Sequence, residues 1–180
     1  MKELQELIEI AAKKGAEVAL ETIEKERAKD RAEVVDRRLH NTKLLLRNYR
    51  MFKAHVENAV YEIEEEFETP EQIMADLMKP GEGSMFVESI KRSVARTAAM
   101  VEHIEAMTGL YQAYCYMTGK EEDERRWRII YNLYLSEDPK SVEEIADEEN
   151  VVVRTVYRDI DTACERIAAL IFGIDGIKRK

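Results

Sequence analysis

The chain has 180 residues, with 28 lysines and arginines against 37 aspartates and glutamates, for a formal net charge of −9. That acidity excludes a general nucleic-acid coat protein, and no apolar run approaches the ~20 residues needed to span a bilayer. Seven glycines and three prolines in so charged a chain favour long helices over sheets, so the expected class is all-α. The N-terminus is charged throughout and carries no signal-peptide pattern. The two cysteines, Cys115 and Cys164, fall within helical patterns and read as reduced, buried thiols of a cytoplasmic protein.

In chain order, the first helix is predicted over residues 4–26, with Leu4, Leu7, Ile8, Ala11, Gly15 and Val18 on one face. Asp30 and Glu33 read as a capping box opening a second helix over 31–67. Its apolar stripe runs through Val34, Leu45, Tyr49, Phe52, Val56, Val60, Ile63 and Phe67. Between Arg37 and His55 this helix has no acid but carries Arg37, Arg38, Lys43, Arg47, Arg50 and Lys53. Arg37, Lys43, Arg47 and Arg50 are therefore candidates for contact with phosphates or an acidic partner. The competing reading pairs them with the acids of a neighbouring helix, such as Glu17, Glu21 and Glu24.

Thr69, Pro70 and Gln72 form a cap, a first-turn proline and a returning amide, and predict a helix start. Residues 79–84 read as a loop, and a long helix over 85–117 follows, stopped by Gly119. Residues 120–123 read as a linker. The expected organisation is therefore a long-helix N-terminal bundle over 1–119 and a C-terminal helix-turn-helix domain over 124–180.

That C-terminal segment is the most informative. Ser141 and Glu144 form a capping box, Asn150 suits a left-handed residue at a helix end, and Val151 can plug the gap between two helices. In the last helix, Val156, Ile160, Ala163, Cys164 and Ile167 share one side, to pack on Ile145, Ile130 and Leu133. Arg154, Thr155, Tyr157, Arg158, Asp161 and Thr162 share the other. Arginine pairs with guanine, and threonine and tyrosine reach phosphates or a thymine methyl. The expected DNA-contacting residues are Val153, Arg154, Thr155, Tyr157, Arg158 and Thr162, with Arg125, Arg126 and Arg128 as weaker phosphate candidates. From residue 151 onward, six basic side chains stand against four acidic ones.

Glu143-Glu144-Ile145-Ala146, Val151 and Thr155-Val156-Tyr157-Arg158 resemble the helix-turn-helix of sigma-factor region 4. The cap that pattern usually places before the recognition helix is here Val152. The block Arg38-Leu39-His40-Asn41-Thr42-Lys43-Leu44-Leu45-Leu46-Arg47-Asn48-Tyr49 resembles the N-terminal part of ArpU-type regulators of phages and prophages of Gram-positive bacteria. With the C-terminal segment and the ending Leu170-Ile171-Phe172-Gly173, that likeness spans most of the chain from Asp30. It implies a transcriptional regulator of late phage genes, acting at a promoter with host RNA polymerase as a partner. From so acidic a chain, one module is expected to bind double-stranded DNA modestly and in a salt-sensitive way, raised by a homodimer or a protein partner, in a bacterial cytoplasm.

No enzymatic activity, cofactor or metal is expected. Pro80-Gly81-Glu82-Gly83-Ser84 lacks the Lys-Ser/Thr of a phosphate loop, the glutamates of 62–68 have no histidine partners, and no His or Cys pair has metal-ligand spacing. Two alternatives fit the same layout. One is a packaging protein like a phage terminase small subunit. The other is a helical interaction module gripping RNA polymerase, with Tyr111, Tyr114, Tyr116 and Trp127 as its interface.

Overall fold

The computed structural model describes residues 2–58, 69–77 and 94–173, with side chains described from Lys13 onward. Its elements are α1 (Lys2–Glu57), α2 (Pro70–Leu77), α3 (Val94–Thr118), α4 (Glu121–Ile130), a π-turn (Tyr131–Leu135), α5 (Val142–Glu148) and α6 (Val153–Phe172). The protein is all-α, and no strand occurs among the described residues. No helix among them is long and apolar enough to cross a membrane.

The helix break expected before Arg31 does not occur. Residues 26–31 contain neither glycine nor proline, and Arg31 Nε donates to the Arg27 carbonyl at 3.0 Å. A capping box needs a helix end to cap, and here the backbone amides are already used within the helix. Downstream, the start at Pro70 is as the sequence predicts. The Thr69 N–H donates to Gln72 Oε1 at 2.8 Å, and the Gln72 N–H returns to Thr69 Oγ1 at 3.4 Å. The 79–84 loop, the glutamates of 62–68 and the first residues of the predicted 85–117 helix lie outside the described residues.

The chain divides into two units, Met1–Asp36 and Arg37–Lys180. In the first, the side chains from Lys13 to Val34 are exposed, including Val18, Leu20 and Ile23. The second holds one hydrophobic core. It takes Leu45, Leu46, Tyr49 and Phe52 from α1 and Met100, Ile104, Tyr111 and Cys115 from α3. Trp127, Ile129 and Ile130 come from α4, Ile145 from α5, and Val156, Ile160, Cys164 and Ile167 from α6. A boundary at 119/124 is therefore not what the structure has. Gly119, at φ +60°, and Lys120 make a tight turn, and the predicted linker residues Glu121, Glu122 and Asp123 are already the first turn of α4. α3 then packs on both α4 and α6, so the segment after residue 119 shares its core with the helices before it.

Polar groups lock this arrangement. Asp159 of α6 is fully buried and receives Arg125 Nε at 2.9 Å and Arg126 Nε at 3.3 Å from α4. Arg126 also reaches Asp123 at 2.6 Å, and Asp123 in turn accepts from Thr118 and meets Arg166 of α6 at 3.4 Å. The burial leaves these charges little water, so each depends on its partner. Replacement of Asp159 by alanine is expected to cost about 3–5 kcal/mol, because the half-buried Arg125 guanidinium loses its counter-charge and Arg126 keeps only the acids of its own helix, Asp123 and Glu122. Urea denaturation of Asp159→Ala beside the parent checks this, and an unchanged midpoint would refute it.

A candidate nucleic-acid interface on the last helix

α5 and α6 are joined by a short, fully specified turn. Ser141 Oγ accepts from the Glu144 N–H at 3.2 Å, and Glu144 Oε2 accepts from the Ser141 N–H at 2.7 Å, completing the predicted box. At the other end of α5, Asn150 takes φ +51°, the Asn150 N–H donates to the Asp147 carbonyl and the Val151 N–H to the Ala146 carbonyl at 2.9 Å. These two bonds define a Schellman motif with asparagine in the left-handed position usually given to glycine. Val151 then packs against the core, as its position in the sequence predicts.

α6 begins at Val153 with Val152 as its cap residue, and no side chain accepts from the first turn. Its inner face is as expected: Val156, Ile160, Ala163, Cys164 and Ile167 are buried. Burial pushes the Cys164 thiol up to about 12, so it remains a protonated, unreactive core group. The outer face presents Val153, Arg154, Tyr157, Arg158 and Asp161 to solvent, with Thr155 and Thr162 half-buried. The Thr162 hydroxyl donates to the Arg158 carbonyl at 3.0 Å, so it serves its own helix.

The cations sort into two groups. Arg125 and Arg126 are held by Asp159 and Asp123. Arg128 is gripped by Glu149 at 2.7 and 2.8 Å and by Glu121 at 2.8 Å. The three α4 arginines are thus internal struts and not free phosphate ligands. The sequence places them on one helix but cannot show that their counter-charges arrive from residues 21–34 positions away. Lys140 pairs with Glu148 at 2.7 Å, and Arg166 lies over the Tyr114 ring at 4.8 Å. Arg154 and Arg158, by contrast, are exposed and make no ion pair or side-chain hydrogen bond among the described residues.

The basic face of α1 is drawn into the same body. Lys43 Nζ meets Asp161 of α6 at 2.6 Å, and Arg50 donates to the Leu133 carbonyl at 3.1 Å. Arg47 is exposed beside Tyr134, and Arg37 is half-buried with a partner of its own. The neighbouring acid for Lys43 is therefore on the last helix, whereas Glu21 pairs locally with Lys25. Lys43 was missed as a support for α6 because only the fold brings residues 118 positions apart together. Of the aromatics proposed as an interface, Tyr111 and Trp127 are core, and Tyr114 and Tyr116 are exposed. His103 sits at the core's edge, 3.4 Å from the Ile171 carbonyl, while His40 is exposed.

Two outcomes follow from the turn. Val152→Ser supplies the missing cap and is expected to raise stability by about 1 kcal/mol, read from the thermal midpoint. A lowered midpoint would show that the valine side chain matters more than the cap. Glu144 is held below the usual carboxylate range by the Ser141 backbone N–H and then the Ser141 hydroxyl. A depressed folded-state value means its contribution is complete above the ordinary glutamate range and fades as pH falls through the lowered value. Glu144→Gln should therefore flatten the acid limb of midpoint against pH, and an unaltered limb would contradict the assignment.

No protein-family model, curated protein or solved structure matches this chain.

Proposed function

We propose that this protein is a sequence-specific, DNA-binding transcriptional regulator of the kind that phages and prophages of Gram-positive bacteria use for late genes. α5, the 149–152 turn and α6 act as a helix-turn-helix, with the first two turns of α6 in the major groove. Arg154 and Arg158 supply paired hydrogen bonds to guanine or charge-assisted bonds to phosphate, Tyr157 and Thr155 contact the backbone, and Val153 meets a thymine methyl. Val151–Lys180 carries net positive charge in an acidic chain, as does the stretch from Arg37 to Lys53, and Arg128 and Lys140 neutralise Glu149 and Glu148 at the end of α5. That leaves a local cationic face on a chain of net negative charge. Binding by one such face is modest and salt-sensitive, and a homodimer or contact with host RNA polymerase raises it. The reading places the protein in the bacterial cytoplasm.

The observation that carries this reading is the sorting of the arginines: Arg125, Arg126, Arg128 and Arg166 are engaged within the fold, and Arg154 and Arg158 are not. A second reading, an interaction module, is favoured by Leu110, Tyr114 and Met117, which stand exposed one helical turn apart on α3. Fluorescence anisotropy on a selected duplex separates the two. Arg154→Ala with Arg158→Ala is expected to weaken binding by at least about tenfold and to reduce the slope of log affinity against log salt by about 1–2. Folding is checked by an unchanged thermal midpoint. Affinity that survives both substitutions overturns the recognition-helix assignment.

A further inference from the structure

A cleft of about 500 Å³ opens among α1, α3, α4 and the π-turn, and none of its lining residues belongs to α5 or α6. Its inner walls are aromatic: Tyr49 and Trp127 are buried and Tyr131 is half-exposed. The Trp127 and Tyr131 rings lie 5.9 Å apart at 43°, leaving the Tyr131 ring open to solvent on one side. Its rim is acidic. Glu105, Glu137 and Asp138 line it against a single ammonium, Lys53, which lies 4.0 Å from Glu137. Tyr49 donates its hydroxyl to Glu105 Oε1 at 2.7 Å, which fixes that carboxylate at the edge of the aromatic wall.

Two backbone features make the cleft. The π-turn closes with the Ser136 N–H donating to the Tyr131 carbonyl at 2.8 Å, and the chain leaving it carries Ser136, Glu137 and Asp138 onto the rim. Such wide turns cost helix regularity and recur at functional positions. On the opposite wall Gly109 sits mid-helix in α3, where a glycine is less stable than alanine by about 1 kcal/mol. A side chain there would meet nothing within 4 Å. Packing does not demand this glycine, and as a lining residue it leaves space that a larger side chain would take.

The geometry points to a docking site for an arginine-bearing segment of a protein partner. A guanidinium stacks on the exposed face of Tyr131 while its N–H groups bond carboxylates at the edge, and its aliphatic stem covers the apolar wall. The excess of carboxylates over ammonium at the rim repels phosphate, so this surface is distinct from the one that reads DNA and stands independently of that reading. The open shape suits a side chain presented from another surface.

Trp127 is the only tryptophan in the chain and lines the site, so its emission reports occupancy. The full chain is titrated with a blocked pentapeptide bearing one central arginine among glycines, with the citrulline and lysine counterparts, and with agmatine. A saturable change with the arginine peptide, weaker by about tenfold for neutral citrulline and by a smaller factor for lysine, is expected. Glu105→Gln should weaken the arginine peptide severalfold. Gly109→Leu should abolish the response while keeping or raising the thermal midpoint, which separates loss of the site from loss of the fold. An equal response to citrulline, or one untouched by Gly109→Leu, overturns the assignment. Agmatine binding as tightly as the peptide replaces the docking site with one for a small cation.

Discussion

The buried carboxylate of Asp159 is the constraint on which the C-terminal half depends. It stands on the inner face of α6 among Val156, Ile160 and Ala163, where a lone charge is intolerable. Only two guanidinium groups from α4 make it acceptable, so α6 cannot rotate or slide without stranding Asp159 and Arg125. Hydrophobic contact alone would leave the rotation of a helix rich in small residues loosely set. The ion cluster fixes it, and Asp123 extends the clamp to the end of α3 and to Arg166. With the inner face fixed, the outer face is fixed too: Arg154, Tyr157 and Arg158 must point away from the core.

Electrostatic sorting follows from the same clamp. An acidic protein can host a DNA-reading face only if its cations are unevenly used. In α4 the arginines are consumed by the fold, and Lys43 of α1 is spent on Asp161 of α6. Lys43 thereby braces α6 and neutralises one acid on its solvent face. The cations left uncommitted on α6 are those in its first two turns, where a helix entering a groove presents its side chains.

Much of this was legible in the sequence, because much of it is local. The caps at Thr69 and Ser141, the left-handed Asn150, the uncapped Val152 and the buried stripe of α6 depend on residues within four positions of each other. What failed to show was non-local. The apparent capping box at Asp30 and Glu33 is a matching pattern inside an uninterrupted helix. In the supposed linker at 120–123, Lys120, Glu121 and Glu122 are exposed as a polar run suggests, but Asp123 is buried to serve Thr118, Arg126 and Arg166. The arginines of α4 looked like surface charge because Asp159 lies 33 and 34 residues away in sequence. The π-turn, which holds the buried Tyr134, left no pattern in the sequence.

In the proposed function α6 reads DNA sequence from a body that includes α3 and the later part of α1. The most direct test is selection from a randomised duplex pool by the full-length protein, since a fragment starting at α4 would lack the helices that share its core. The expected result is enrichment of one short motif, with protection centred on the major groove of that motif. A pool that stays random after repeated selection at low salt, with a folded protein, would contradict it.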